Sequence, residues 1–404
     1  MFTAATKVLV TTSTYGRWRG DTLYSFVHEL SHRLGRYHSV YVLSPHARGA
    51  SGRETIDGIN VTRYRYFPER YETLNERSIL PNLKKNPLLW LQVPLFMIAQ
   101  LLAIRRIVRQ YHIDIIHAHW LIPQGFIAVV YKILFNRNIK ILATAHGSDV
   151  YGLRWWPFGI IKKWIISNVD FVTAVSSALH DDVLALAPGK NIPTDVIPMG
   201  VDFTLFSPSC VDEEIRRRYG ITGPFILYVG RLSAKKGVDL VLKAMPIVLR
   251  DFPDAMLLVV GDGEDREALE GLARTLGLHD TRVIFTGALP HEKLPPYYAT
   301  ADLFVAPSAS EGFGLAFAEA IASGTPAVGT NLPSLREILD ERETGFVVKE
   351  NSSEAIAEKL ISVLQIKEDL KTAAVKAREE LRARCDFDII SQRYRRLIEE
   401  LSGK

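Results

Sequence analysis

Two turns in the second half of the chain carry charged residues at spacings that suit one anionic ligand. The first turn runs from Arg231 to Lys236 and follows a strand-like apolar run at 225–230. A guanidinium binds phosphate through two parallel hydrogen bonds, and a lysine adds a point charge. Together they suit a diphosphate, whose negative charge grows when it departs as a leaving group. A solvated basic turn is the alternative that this segment alone leaves open.

The second turn combines glycines with carboxylates. It consists of Glu311-Gly312-Phe313-Gly314-Leu315, and Glu319 follows eight residues after Glu311. The glycines allow a tight turn and a close approach of backbone to ligand, and a helix that begins there directs free N–H groups at a phosphate. Carboxylates beside a phosphate site are explained if they accept hydrogen bonds from sugar hydroxyls. The turn therefore predicts a nucleotide-sugar site; a loop cap and an exposed helix residue are the alternatives for Glu311 and Glu319.

Histidines in the first half lie at the ends of predicted strands. His117 and His119 alternate, so they point the same way and could bind a metal ion. Because no third ligand is nearby in the sequence, packing or contact with an acceptor is favoured. His146 and Asp149 follow the predicted strand 140–145, where parallel sheets place active-site residues. We expect His146 to bond to a sugar or phosphate and Asp149 to a hydroxyl; a capped helix start is the alternative for Asp149.

These turns are positioned by an alternation of short apolar strands and longer helices, which is typical of parallel α/β sheets. We predict strands near 7–12, 39–44, 59–66, 113–118, 140–145, 171–175, 194–198, 225–230, 256–260, 282–286, 303–306, 326–329 and 346–348. We predict helices at 21–35, 88–110, 124–135, 158–168, 176–187, 236–250, 264–276, 291–299, 315–323, 334–340, 352–384 and 388–402. The alternation stops and restarts around 200–208, which predicts two α/β domains.

Composition restricts the class of protein. Of 404 residues, 47% are hydrophobic and 23% charged, as in ordinary globular proteins, and a net charge of +4 is too small to indicate nucleic-acid binding. Cys210 and Cys385 lie far apart without metal-ligand spacing, so we expect a reducing compartment. The first residues lack the charged start and long apolar run of a secretory signal, so we expect a cytoplasmic protein.

Together these motifs resemble glycosyltransferase family 4, the group 1 glycosyl transferases. The turn from Gly230 to Gly237 and the Glu311–Glu319 pair are similar to the family's donor-site signature, and the runs around His119 and His146 resemble its N-terminal domain. The family implies an α/β structure of the GT-B fold, with two Rossmann-like domains facing across a cleft, and transfer with retention of anomeric configuration without an essential metal or other cofactor. The corresponding domains are an acceptor-binding domain at 1–203, a nucleotide-sugar donor domain at 204–385, and a last helix at 386–404 that crosses back to the first.

The resemblance also assigns residue roles. It implies that Arg231 and Lys236 hold the diphosphate, Glu319 the ribose hydroxyls and Glu311 the donor sugar, with His146 near the reaction centre. Gly312 and the amides of Phe313, Gly314 and Leu315 complete the donor site, and Gly16 and Asp149 contact the donor from the first domain. Many family members carry adjacent glycines in the first loop, whereas this chain has Gly16 and Gly20 apart, which makes the donor contact of that loop the weakest assignment.

We therefore expect an enzyme that moves a hexosyl unit from a nucleotide-diphosphate sugar to a carbohydrate or lipid-linked acceptor, in cell-envelope polysaccharide or glycolipid synthesis. Other GT-B activities, a sugar-nucleotide epimerase or a phosphorylase, remain alternatives. A non-catalytic nucleotide-sugar-binding protein is an alternative from another class. An NAD-dependent oxidoreductase is disfavoured because Arg266 occupies the third glycine position after Gly261-Asp262-Gly263.

One apolar segment, 87–104, is flanked by basic residues at Lys84, Lys85, Arg105, Arg106 and Arg109. Gln92, Pro94 and Gln100 make it a poor membrane span, which needs ~20 apolar residues. Two alternatives remain: a helix that lies on anionic lipid at the inner face of the membrane, or an amphipathic helix that covers the first sheet.

Overall fold

The computed structural model describes residues 5–18, 21, 26–76, 79–152, 156–339 and 345–403. The chain divides into two compact units, of which the first comprises residues 1–200 and 387–404 and the second residues 201–386. The junctions at 200/201 and 386/387 lie beside the boundaries that the sequence suggested, at 203/204 and 385/386.

The described strands of the first unit form one eight-stranded sheet in the order β3-β4-β2-β1-β5-β6-β7-β8. They are β1 Lys7–Thr11, β2 Ser39–Pro45, β3 Arg53–Ile56, β4 Ile59–Tyr64, β5 Ile115–His119, β6 Lys140–Ala145, β7 Phe171–Ala174 and β8 Thr194–Val196. All neighbours are parallel except β3 and β4, which are antiparallel. Strands β2 to β4 lie on one side of β1 and strands β5 to β8 on the other, so the order of the strands reverses between β1 and β5.

The described strands of the second unit form a six-stranded parallel sheet in the order β11-β10-β9-β12-β13-β14. They are β9 Phe225–Val229, β10 Met256–Val260, β11 Val283–Gly287, β12 Leu303–Ala306, β13 Ala327–Thr330 and β14 Gly345–Val348. Strand β10 is Met-Leu-Leu-Val-Val and is buried throughout, as expected for a parallel strand that helices cover on both faces. The order reverses between β9 and β12, and such switch points are where doubly wound sheets bind ligands.

Helices connect the parallel strands in both units. Those of the first unit are α1 Phe26–Leu34, α2 Ile79–Lys85, α3 Val93–Tyr111, α4 Phe126–Phe135, α5 Ser148–Tyr151, α6 Trp156–Ile166, α7 Ser177–Leu186 and α16 Phe387–Ser402. Those of the second are α8 Glu213–Tyr219, α9 Val238–Asp251, α10 Arg266–Thr275, α11 Pro295–Thr300, α12 Leu315–Ala322, α13 Pro333–Arg336, α14 Ser353–Gln365 and α15 Lys367–Cys385. Side-chain oxygens of Ser176, Asp212 and Ser352 cap the N-termini of α7, α8 and α14.

The last helix, α16, is part of the core of the first unit. Phe387, Ile390 and Ile398 are buried in one apolar cluster with residues of β1 and α1. The Tyr394 hydroxyl lies 3.3 Å from the hydroxyl of Thr144 in β6. The helix is amphipathic, so its apolar face becomes buried only by packing on this sheet and its helices.

Several predicted elements were wrong or missed. The predicted helix 352–384 is two helices, because Ile366 takes a non-helical conformation (φ −103°, ψ 19°) between α14 and α15. Strand β3 was missed because it is a short polar edge strand with only Ile56 fully buried. The short helices α2, α5 and α8 were also missed, since fewer than eight residues give little periodic signal. Residues 22–25 of the predicted helix 21–35 lie outside the described residues.

Candidate active site

The sequence-predicted residues of the second unit lie at the carboxyl edge of its sheet, at the switch point between β9 and β12. Arg231 and Lys236 follow β9, and Glu311 follows β12. The amide of Ala309, in the turn after β12, donates to the carbonyl of Lys235 (2.8 Å), which joins the two turns directly. The two turns that were predicted separately from sequence therefore form one surface.

Two glycines allow these strand ends to approach each other. Gly261, after β10, has φ +150°, and a Cβ there would lie 1.9 Å from the carbonyl oxygen of Gly230. Gly237, at the end of the basic turn, has φ +67°, and a Cβ would lie 2.3 Å from the carbonyl oxygen of Pro307. Any side chain at either position would separate the turns and so displace Arg231 or Lys236.

Lys236 and Glu311 form an ion pair. The Ser308 hydroxyl donates a second hydrogen bond to Glu311 Oε1, at 2.8 Å. The side chains of Lys236 and Glu311 are 30% and 15% exposed, so water and ligand can reach the lysine. The pair holds the ammonium group at the centre of the strand edge.

Arg231 pairs with Glu264, whose Oε2 lies 2.9 Å from Arg231 Nη2. Glu264 follows β10, and its contact with the arginine was not predicted from the sequence. Both side chains are about one-third exposed. Partly exposed ion pairs contribute little to stability, so a diphosphate with more negative charge can displace this carboxylate.

Glu319 lies on the inner side of α12 and is almost completely buried. One carboxylate oxygen accepts from the Tyr298 hydroxyl (3.0 Å), and the other lies 2.7 Å from His291 Nε2. Burial raises the pKa of Tyr298 well above its usual value, and the adjacent carboxylate adds to that shift, so the phenol stays protonated as a donor. A carboxylate has about four lone-pair positions, so Glu319 can still accept from two vicinal hydroxyls.

The glycine turn leads directly into α12. Gly314 has φ +97° and precedes Leu315, the first residue of the helix, and no side chain caps this end. The first amides of the helix therefore have no partner within the helix, as expected at an anion-binding helix start. Phe313 is buried and anchors the turn, whereas Gly312 and Leu315 are partly exposed.

The histidines of the first unit form a buried stack at the carboxyl edge of its sheet. His119 Nδ1 and His146 Nε2 lie 3.0 Å apart, and the rings of His117 and His119 have centroids 4.2 Å apart. Burial lowers the pKa values of His117 and His146 to about 3. The sequence named His146 as a candidate but did not predict its contact with His119, which arises because β5 and β6 are neighbours. Among the described residues there is no group of three or more His, Cys, Asp or Glu that could hold a metal ion.

Asp149 has a defined structural contact. Its two oxygens accept backbone N–H groups, from His146 at 3.1 Å and from Leu121 at 2.7 Å. Burial raises its pKa, and these bonds partly oppose that shift. The carboxylate thus ties the end of β6 to the segment after β5. It does not cap α5, the alternative that the sequence left open, because no side chain caps the start of that helix.

Trp120, between these two segments, has an unusual backbone. Its φ of +76° with ψ of 135° lies in a region that residues other than glycine rarely adopt, at a cost of about 1–3 kcal/mol. Its amide donates to Thr144 O (2.9 Å), and its ring centroid lies 4.9 Å from that of His146. Strained residues of this kind cluster at functional sites, and this one borders the histidine stack.

Gly16 lies in the loop after β1, at the same edge of the first sheet. Its carbonyl accepts from Arg63 Nη2 at 2.7 Å, and Arg63 is itself paired with Glu54. The loop is therefore tied to β4 and β3. Gly20 lies outside the described residues.

Acid is expected to destabilise the protein through the histidine stack. The folded pKa of His117 is about 3 and the unfolded value about 6.5, so only the unfolded chain binds this proton between those values. Stability is therefore fully present above about pH 6.5 and decreases as the pH falls, by about 1.4 kcal/mol per pH unit for each such histidine.

Urea unfolding at neutral and at mildly acidic pH measures this dependence. We expect His117→Asn to weaken the pH dependence of the free energy of unfolding by about one proton. An unchanged dependence in the His117 variant would show that this histidine does not titrate on unfolding.

Comparisons with known proteins agree with the two-unit architecture. The model described as Glycosyltransferase Family 4 matches residues 25–205, and the model described as Glycosyl transferases group 1 matches residues 211–380. The GDP-mannose-dependent alpha-(1-6)-phosphatidylinositol monomannoside mannosyltransferase of Mycobacterium tuberculosis is 30% identical over 262 residues, which cover 62% of this chain and 67% of that protein.

Two solved structures share the fold. Sucrose-phosphate synthase from Thermosynechococcus elongatus superposes with a TM-score of 0.81 at 23% identity, covering 98% of this chain and 99% of that one. HepE from Anabaena, solved in complex with UDP-glucose, gives a TM-score of 0.74 at 18% identity, covering 98% and 99%. The chain has the GT-B fold and belongs to glycosyltransferase family 4, the group 1 glycosyl transferases.

Proposed function

We propose that the protein is a retaining hexosyltransferase that transfers a hexosyl unit from a nucleotide-diphosphate sugar to an acceptor hydroxyl. The observation that carries the proposal is the gathering of Arg231, Lys236, Glu311 and Glu319 at one switch point of the second sheet. The solved complex of HepE with UDP-glucose, which has the same fold, supports a donor of this class. The second unit is then the donor domain and the first unit the acceptor domain.

The charges of the site suggest how the donor binds. A diphosphate would replace Glu264 as the partner of Arg231 and Glu311 as the partner of Lys236, since it carries more negative charge than either single carboxylate. Glu311, released from the lysine, can then accept hydrogen bonds from the donor sugar. Two cations and the first amides of α12 offset the diphosphate charge, so the proposal needs no divalent cation.

Transfer then follows from charge development. As the bond between the anomeric carbon and the diphosphate oxygen breaks, negative charge grows on that oxygen, and Arg231 and Lys236 stabilise it. The acceptor hydroxyl attacks the anomeric carbon from the face that the leaving group vacates, and its proton passes to a departing phosphate oxygen. The new bond forms on the same face, so configuration is retained. His146, which burial keeps neutral at pH 7, is an uncharged hydrogen-bonding group that the first unit could offer to a sugar hydroxyl.

The donor is identified by stabilisation followed by product analysis. UDP, GDP and ADP are each added to the full chain during thermal unfolding; a nucleotide at 100 times its Kd adds about 2.7 kcal/mol of stability. The matching nucleotide sugars are then incubated with acceptors, and the anomeric configuration of the product is read by NMR.

We expect an α-linked donor to give an α-linked product. An inverted product would contradict retention. Conversion of the donor without an acceptor would indicate an epimerase, and a requirement for free phosphate would indicate a phosphorylase. Stabilisation by a nucleotide without turnover would indicate a binding protein.

We also propose that the first unit binds the inner face of an anionic membrane, where envelope glycolipids are made. The segment Pro87–Tyr111 is long and apolar enough to cross a membrane by length and composition, a property that core helices share. Leu88, Leu91 and Trp156 are more than two-thirds exposed, and Lys84 and Lys85 precede Leu88 in the sequence. An apolar surface with flanking lysines suits a helix that lies in the lipid interface. The name of the mycobacterial relative, which includes a phosphatidylinositol acceptor, supports this setting.

Liposome flotation tests the membrane contact. We expect the protein to float with vesicles that contain anionic lipid and to dissociate as salt is raised, since each lysine near the surface contributes about 1 kcal/mol. The double variant Leu88→Ser with Leu91→Ser should lose most of this binding, whereas Leu184→Ser, at an exposed leucine of α7, should not. Equal flotation of both variants would contradict the assigned surface.

A further inference from the structure

The first unit contains a cavity of about 290 Å³ that the donor site does not use. Its apolar wall includes Leu83 of α2, Phe96 and Met97 of α3, Phe126 of α4 and Ile161 of α6. A partly enclosed space of this size and composition is typical of a ligand pocket rather than of a packing defect.

The polar groups that line the cavity come from the carboxyl edge of the sheet. Ser13 follows β1, Trp120 follows β5, and Ser148 and Asp149 follow β6. These three strands are neighbours in the sheet, so the groups lie at one end of the cavity. That end borders the strained backbone of Trp120 and the turn that carries His146. The cavity thus connects the predicted reaction edge of this unit with an apolar interior.

Asn75 also lines the cavity, but its side-chain atoms already form hydrogen bonds within the protein. Its Oδ1 accepts from the Tyr66 hydroxyl (2.8 Å), and its Nδ2 donates to the His46 carbonyl (3.3 Å). The same loop is fixed by a buried pair in which His46 Nδ1 lies 2.6 Å from Glu72 Oε2. The wall formed by this loop is therefore rigid and presents no unused polar group from Asn75 to a ligand.

The cavity approaches the surface along α3 and the 3₁₀ turn that precedes it. Trp90 lines the cavity and is also 43% exposed. Its neighbour Leu91 is 75% exposed. A chain that left the cavity beside Trp90 would therefore remain on an apolar surface.

We propose that this cavity binds the hydrocarbon chain of a lipid-linked acceptor, one acyl or prenyl chain, with the acceptor's headgroup hydroxyl at the Asp149 end. The inference rests on the proposed function and specifies its acceptor class. A sugar ring in the apolar part would lose its hydrogen bonds to water without replacement, which is unfavourable, whereas a hydrocarbon chain has none to lose. The volume accommodates on the order of ten methylene-sized groups, taking about 30 Å³ for a group the size of a water molecule.

Calorimetric titration of the full chain with straight-chain alcohols from propanol to dodecanol tests the cavity without knowledge of the acceptor sugar. Affinity is expected to rise about fourfold per methylene and to level off near ten carbons, when the cavity is full. Met97→Trp places a larger side chain in the cavity. In this variant the affinity should level off at a shorter alcohol, and decanol should bind at least about tenfold more weakly than to the wild type. Leu102→Trp, at an exposed position of the same helix that does not line the cavity, should leave the series unchanged.

A second measurement links the cavity to the acceptor. With the donor identified, the octyl glycoside of an accepted sugar should exceed the methyl glycoside in kcat/KM by at least about 100-fold, and Met97→Trp but not Leu102→Trp should reduce that ratio. Equal affinity for propanol and octanol, or a preference for the methyl glycoside, would overturn the proposal. Because the wild-type alcohol series needs no variant, a misfolded Met97→Trp would not obscure it.

Nucleotide-dependent thermal stabilisation separates the two proposals. If the protein binds a nucleotide but its affinity for alcohols does not depend on their length, the cavity proposal is rejected and the proposed function stands. If the protein binds long alcohols but none of UDP, GDP and ADP, the proposed function is rejected, and so is the acceptor role of the cavity.

Discussion

Lys236→Ala is expected to lower kcat by about three orders of magnitude while the protein stays folded. Loss of one donor aimed at developing negative charge costs about 10²–10³ in kcat. In this site the loss is compounded, because Glu311 would be left without its ion-pair partner and would repel the departing diphosphate. Steady-state turnover with the stabilising nucleotide sugar measures the effect.

The matched control is Lys235→Ala. Lys235 is the preceding residue, its side chain is exposed, and its backbone carbonyl, which the substitution keeps, is the group that bonds to Ala309. We expect this variant to retain near-normal kcat. Similar activity in both variants would show that the ammonium of Lys236 does not act on the leaving group.

Glu319→Gln is expected to raise the KM for the donor about 100-fold with a much smaller change in kcat. Hydrogen bonds to a charged group contribute about 1.5–3 kcal/mol each. An amide is uncharged and has one acceptor oxygen in place of two, so the variant cannot accept from both ribose hydroxyls while Tyr298 also donates to it. The substitution keeps the side-chain shape, and an amide can still bond to Tyr298 and His291, so the fold should be preserved.

The control for this variant is Glu292→Gln, at an exposed carboxylate next to His291. It should leave KM unchanged, and far-ultraviolet circular dichroism should match wild type for both proteins. A large fall in kcat at unchanged KM in Glu319→Gln would place this carboxylate at the reacting bond instead of at the ribose.

The sequence predicted the donor-site turns because their signals are local. A buried apolar strand, a glycine turn and a helix occur in direct succession around Gly230 and Gly314, and each carries its charged residues within a few positions. The partners of those residues are not local. Glu264 and His291 reach Arg231 and Glu319 only because β10 lies beside β9 and β11 lies beside β10. The strand order of a parallel sheet cannot be read from any one segment of the sequence.

The first unit was less predictable for the same reason. His119 and His146 are far apart in sequence but in contact, because β5 and β6 are neighbours in register, with His119 opposite Thr144. The apolar segment at 87–104 left two alternatives open because composition does not show which side of a helix is covered. In the structure Phe96 is buried and Leu91 and Leu95 are exposed, so the segment both covers the first unit and presents an apolar surface.

We expect a nucleotide sugar to bind at the β9–β12 switch point of the second unit. A crystal structure of the full chain with the nucleoside diphosphate that stabilises it most tests this directly. Arg231 and Lys236 should contact the diphosphate, having left Glu264 and Glu311, and Glu319 should accept hydrogen bonds from the ribose hydroxyls. A nucleotide bound elsewhere, with both ion pairs still closed, would contradict it.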